Sequence, residues 1–167
     1  MGKYDNDEFF EILEPVLNDE NFTGLEDIKH HGITRLDHCL RVSYFSYKIC
    51  KALKLNYQDV AVAALLHDFF TDEVENLNII KRLRLHPLIA CDNACKYFNL
   101  NEMQKDIIKT HMFPITFTPP KYIESWIVDI VDDIAAIYEK AHSTKKEWRA
   151  ATTFLFLIVL NYIKFLK

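Results

Sequence analysis

Histidine and aspartate recur along this chain in an order that could build a metal centre. His38 comes first, then the adjacent pair His67-Asp68, then His86, His111 and Asp132. Imidazole and carboxylate together suit zinc, iron or manganese better than calcium. Such ions bring the pKa of bound water towards ~7, and two of them can clamp both oxygens of a displacement. His67-Asp68 follows the apolar run VAVAALL. An ionised aspartate there is costly unless it is paired or bound to a cation. No two of these histidines have the i, i+4 spacing of a single-helix site, so the ligands must converge from separate helices. Taken singly, each residue has a plainer reading. His38 would be a hydrogen-bonded helical histidine, His86 a cap and His111 a charge at a helix end. Asp129 and Asp133 rival Asp132 on composition alone.

The elements that must position these residues read as helices throughout, with no internal repeat. A first helix is expected over about 6–18. A linker holding Gly24 and His30-His31-Gly32 follows it. Thr34 is placed to cap a helix from Arg35 to Leu53, with Asp37 at its third position. Asn56, with Asp59 three residues on, caps a buried helix ending near His67-Asp68. The stretch 69–85 reads as irregular. Pro87 suits the first turn of a helix reaching about Phe98. Asn101 opens a short helix ending near His111, and the prolines between Phe113 and Pro120 mark a loop. A helix over about 122–141 carries the three aspartates, and a last one runs from Lys145 to the end.

Composition narrows the class. The chain has 167 residues, half of them apolar, with only three glycines and five prolines. That suits one all-α domain over 1–167, with a core over 25–141 and terminal helices 6–18 and 145–166 packed on it. A net charge of −4 supplies no general field for nucleic acid, and no stable nucleic-acid partner is expected. The start is acidic and has no apolar signal core, which points to a cytoplasmic protein. Cys39, Cys50, Cys91 and Cys95 form no C-x-x-C pair and read as reduced thiols. The segment AATTFLFLIVLNYIKFL is shorter than the ~18–20 apolar residues of a bilayer span. It reads as a helix closing the bundle, with a homodimer interface or a membrane-surface helix as the competing readings.

Order and context make the motif more specific. The segments HHGITRLDHCLRVSYFSYKICKALKL (30–55), AALLHDFF (63–70), HPLIACDNA (86–94), IIKTHMFP (107–114) and ESWIVDIVDD (124–133) resemble the HD superfamily of metal-dependent phosphohydrolases. The resemblance is nearest to small, uncharacterised bacterial members. It implies an all-α HD-domain bundle of about six to eight helices. It also implies one divalent ion at His38, His67, Asp68 and Asp132, and a second at His86 and His111, with Asp68 bridging. The ions would be iron, manganese or zinc. A metal-bridging hydroxide would hydrolyse a phosphate ester or anhydride in a nucleotide-like small molecule, with Asp68 the catalytic carboxylate. Relatives often carry Asp-Lys where this chain has Asp132-Asp133, so if that lysine touches substrate phosphate in them, this protein does without it.

Arg41, Lys109 and Lys121 are the candidate phosphate contacts. For Arg41 the competing reading is an ion pair with a helix acid. Lys81, Arg82 and Arg84 read as a solvated face, and Phe69, Phe70 and Phe113 as core rather than base-stacking rings. Two other functions share the ligand set: di-iron oxygenation of a carbon substrate, and a regulatory nucleotide-binding module with little turnover.

Overall fold

A computed structural model describes residues 6–23, 29–30, 33–70, 74 and 77–143. Its elements run α1 (Asp7–Leu17), α2 (Glu20–Thr23), β1 (Lys29–His30), β2 (Ile33–Thr34), α3 (Arg35–Ala52), α4 (Tyr57–Leu66), α5 (Ile79–Tyr97), α6 (Glu102–Thr110) and α7 (Ile123–Ser143). The architecture is all-α. The two strands form a minimal antiparallel pair, His30 opposite Ile33, leading into α3. Neither that pair nor α2 is foreseen by the sequence patterns. The expected C-terminal helix lies outside the described residues.

Helix starts follow their capping side chains. Asn6, Thr34, Asn56 and Asn101 each accept a hydrogen bond from a backbone N–H in the first turn of α1, α3, α4 and α6. A cap of this kind contributes ~1 kcal/mol. At α6 the arrangement is reciprocal, because the Gln104 side chain also accepts from the Asn101 N–H.

One expectation is corrected. Pro87 does not open a helix; it lies well inside α5, which begins at Ile79 with Asn78 as its cap. The Asn78 side chain accepts from Lys81 N–H and starts the helix two turns early. Good helix formers then carry it to Pro87. The helix absorbs a proline that cannot donate to Leu83.

α4 is the centre of the bundle. Val60, Ala61, Ala63, Ala64, Leu65 and Leu66 are all buried, and α1, α3, α5, α6 and α7 all pack on it. Each fully buried leucine contributes ~1.5–3 kcal/mol of transfer free energy. α1 lays Phe9, Leu13 and Val16 against this core at i, i+4, i+7 spacing. Glu8 latches α1 to α3 and α4: it pairs with Lys51 and accepts from the hydroxyls of Tyr47 and Tyr57, both at 3.1 Å.

α4 and α6 run parallel and are tied at their starts. Asp59, in the first turn of α4, accepts from Asn101 Nδ2 at 2.9 Å and from Gln104 Nε2 at 3.3 Å. At the other ends, the rings of His67 and His111 meet with centroids 4.8 Å apart. α3 and α7 cross the core antiparallel. Asn56, just beyond α3, meets Glu124 near the start of α7, and His38 near the start of α3 meets Glu139 near its end.

Candidate metal centre

His67 caps the C-terminus of α4, and His111 does the same for α6. The last carbonyls of a helix lack an intrahelical donor. Both histidines fill that vacancy themselves: His67 Nδ1–H donates to Ala64 O at 2.7 Å, and His111 Nδ1–H to Ile108 O at 2.8 Å. His86, mid-helix in α5, donates Nδ1–H to Arg82 O at 3.0 Å. A carbonyl can only accept, so all three rings are held with Nδ1 protonated, and in its neutral form each carries its lone pair on Nε2.

These lone pairs point at one another and at two carboxylates. His86 Nε2 and His111 Nε2 are 2.9 Å apart. Asp68 Oδ1 lies 3.3 Å from the first and 3.7 Å from the second. His67 Nε2 is buried without a hydrogen-bond partner among the described residues. It stands 3.5 Å from Asp132 Oδ1 and 3.9 Å from Asp68 Oδ2. His38 Nε2 donates to Asp132 Oδ1 at 2.8 Å. Three overlapping trios have ligand atoms within 4.8 Å of one another: His38, His67, Asp68; His67, His111, Asp132; and Asp68, His86, His111.

The structure therefore brings His38, His67, Asp68, His86, His111 and Asp132 into one buried cluster. Asp129 and Asp133 do not join it: Asp129 is hydrogen-bonded to the Phe113 backbone, and the helical turn carries Asp133 off the Asp132 direction. Phe69, Phe70 and Phe113 are buried, as expected of core rings. Lys109 and Lys121 are exposed. Arg84, from the basic run, donates to Ile115 O at 3.2 Å and stacks on Phe117, pinning the loop after His111.

The arrangement polarises the acids and bases. Burial pushes His38 down, but the hydrogen bonds and charges of Asp132 and Glu139 more than reverse this and hold it up to about 10. Burial, with His67 and His86 beside it, pushes His111 down to about 3. Burial raises Asp132, yet His67 and His38 keep it well below the usual carboxylate range. Burial and neighbouring carboxylates raise Asp129 to about 10, and burial with the Asp132 charge raises Asp133 to about 8.

Glu139 is the functional candidate that sequence reasoning missed. Its Oε2 accepts from His38 Nδ1–H at 2.9 Å, and its Oε1 pairs with Arg41. Arg41, singled out as a phosphate contact, is thus committed to a helix acid, the competing reading. The only sequence signal for Glu139 is its place two turns after Asp132, on the same side of α7.

Buried Nε2 atoms around two carboxylates fit a divalent cation by donor chemistry, and with both Nδ1 protons given to carbonyls the His86–His111 contact needs a proton or a metal ion between its Nε2 atoms. The HD domain family matches residues 35–137, more than half of the chain. The chain belongs to the HD domain family. The matched span holds all six clustered residues, His67-Asp68 among them. Glu139 falls two residues beyond it. No curated protein and no solved structure matches the chain. No helix among the described residues is long and apolar enough to cross a membrane.

Proposed function

We propose that this HD domain hydrolyses a phosphate ester or anhydride in a small, nucleotide-like molecule. His38, His67, Asp68 and Asp132 would hold one divalent transition-metal ion. His86 and His111 would hold a second, sharing Asp68. The observation that carries this reading is the fixed tautomer of His67, His86 and His111, which aims three lone pairs into one buried site beside Asp68 and Asp132. Iron, manganese or zinc suits that donor set.

Bound there, such ions supply Lewis acidity, an activated water and charge to screen a phosphate. The chain's own groups do the rest. Asp68 lies between the two sets of histidines, where a carboxylate can bridge and can orient a water proton. The carbonyl-anchored histidines need no rearrangement to present their donors. Phe70 packs on His86 with ring centroids 5.2 Å apart and helps keep bulk water from that side.

The test is metal analysis of the full chain, then a phosphate-release screen with manganese or iron added. The screen covers nucleoside monophosphates, dinucleoside polyphosphates and signalling nucleotides. Metal-dependent phosphate release is expected. Oxygen uptake without phosphate release would transfer the site to oxygenase chemistry. Tight nucleotide binding without turnover would make it a regulatory module.

A further inference from the structure

We infer that Glu139 is a positioning residue that makes the two cation positions unequal: the chain takes up one ion tightly at His38, His67 and Asp132, and a second, exchangeable one at His86 and His111. This rests on the metal-site reading above and adds an order of loading to it.

The asymmetry lies behind the ligands. His67, His86 and His111 donate their Nδ1–H groups to neutral backbone carbonyls. His38 alone among them donates to a carboxylate, Glu139, at 2.9 Å. An imidazole whose far N–H faces a carboxylate is a more basic and better oriented donor than one facing a carbonyl. Charge points the same way. Asp132 stands 2.8 Å from His38 and 3.5 Å from His67, whereas His86 and His111 have Asp68 at 3.3 and 3.7 Å, a carboxylate that His67 also faces. A dication leaving water for a buried site is favoured where more negative charge already stands.

Arg41 keeps Glu139 in the supporting place. It binds Oε1 while its guanidinium lies 5.6 Å from the Tyr138 ring centroid. Glu139 is 4% exposed, so solvent screens this pair little. With one oxygen on Arg41 and the other on His38 Nδ1, Glu139 is held behind the His38 ring, on the side away from Asp132.

Calorimetric titration of the metal-stripped full chain with Co(II) tests the proposal, with the visible spectrum followed alongside. The expected result is two steps of unequal affinity. Glu139→Gln should weaken the tight step by roughly 10–100-fold and shift the absorption of the first ion, leaving the weak step unchanged. Because Gln strands the Arg41 charge, Glu139→Gln/Arg41→Met is run beside it and should show the same loss. Two equal steps in the unaltered chain, or an untouched tight step in either variant with an intact melt, would overturn the proposal. No Co(II) uptake by the unaltered chain would reject the metal-site reading itself.

Discussion

His86 and His111 face each other through their Nε2 atoms at 2.9 Å, although each has already given its Nδ1 proton to a carbonyl of its own helix. Two lone pairs in contact repel unless a cation lies against both. Without metal, the fold holds this arrangement at a cost to stability. His86→Leu should therefore raise the metal-free melting temperature by about 2–4 °C, corresponding to roughly 1 kcal/mol. It should also abolish binding of the second ion. Scanning calorimetry in chelator and a Co(II) stoichiometry check both halves. A lower melting temperature would show that the contact is not a stored cost.

Asp68 stands between both sets of histidines, so its loss should disturb both ions. Asp68→Ala is expected to reduce turnover by more than the ~10–100-fold typical of an outer-shell change. Bound metal should fall with it, while a cooperative melt is retained. Metal content and activity at the unaltered level in a folded Asp68→Ala chain would remove the central assignment.

The metal-free protein should lose stability as pH rises above about 6.5. Folding holds His38 at about 10 against an ordinary 6.5. It holds Asp129 at about 10 and Asp133 at about 8 against 3.8. Across this range the folded chain keeps protons that the unfolded chain has released, so stability falls with pH. The His38 contribution is complete below 6.5 and gone once pH passes about 10. Melting temperatures in chelator at pH 6.5, 8 and 9.5 should descend in that order. Saturating Co(II) should lessen the slope by the His38 share, because bound metal replaces the His38 Nε2 proton, and leave the part due to Asp129 and Asp133. A level chelator series would show that these groups do not titrate as their surroundings dictate.

Asn101 ties the start of α6 to Asp59 of α4 and completes a reciprocal cap with Gln104. Asn101→Ala should cost about 0.5–2 kcal/mol, read as a lower denaturant midpoint with an unchanged slope. Metal stoichiometry should stay at the unaltered value, because no ligand is touched. A larger loss with altered stoichiometry would mean that the cap also sets the register of His111.

Much of this was legible in the sequence because it was local. An Asn or Thr with polar or acidic residues in the following turn announces a helix start, and Asn6, Thr34, Asn56 and Asn101 all act so. The order of His and Asp named the six clustered residues. What escaped was not local. The start of α5 at Asn78 was masked by Pro87, a stronger punctuation mark that the helix tolerates. Choosing Asp132 over Asp129 and Asp133 from the residues alone needed the facing of α7. Glu139 and Arg41 meet only because α3 and α7 cross antiparallel, bringing together residues 98 apart.

The parallel pair α4 and α6 works as two matched rulers. Both are clamped at one end by Asp59, and each carries its histidine just past the other end, after ten residues in α4 and nine in α6. One residue added to either helix would turn its histidine by about 100° and push it on by ~1.5 Å. The apolar packing could adjust to such a change more readily than the His67–His111 meeting could. Helix length between cap and histidine is thus a quantity that sequence drift should leave alone here, even where the side chains in between vary. Among HD domains built on the same clamp, insertions should gather in the connections, after Asp68 or before Asn101, and spare the two measured spans.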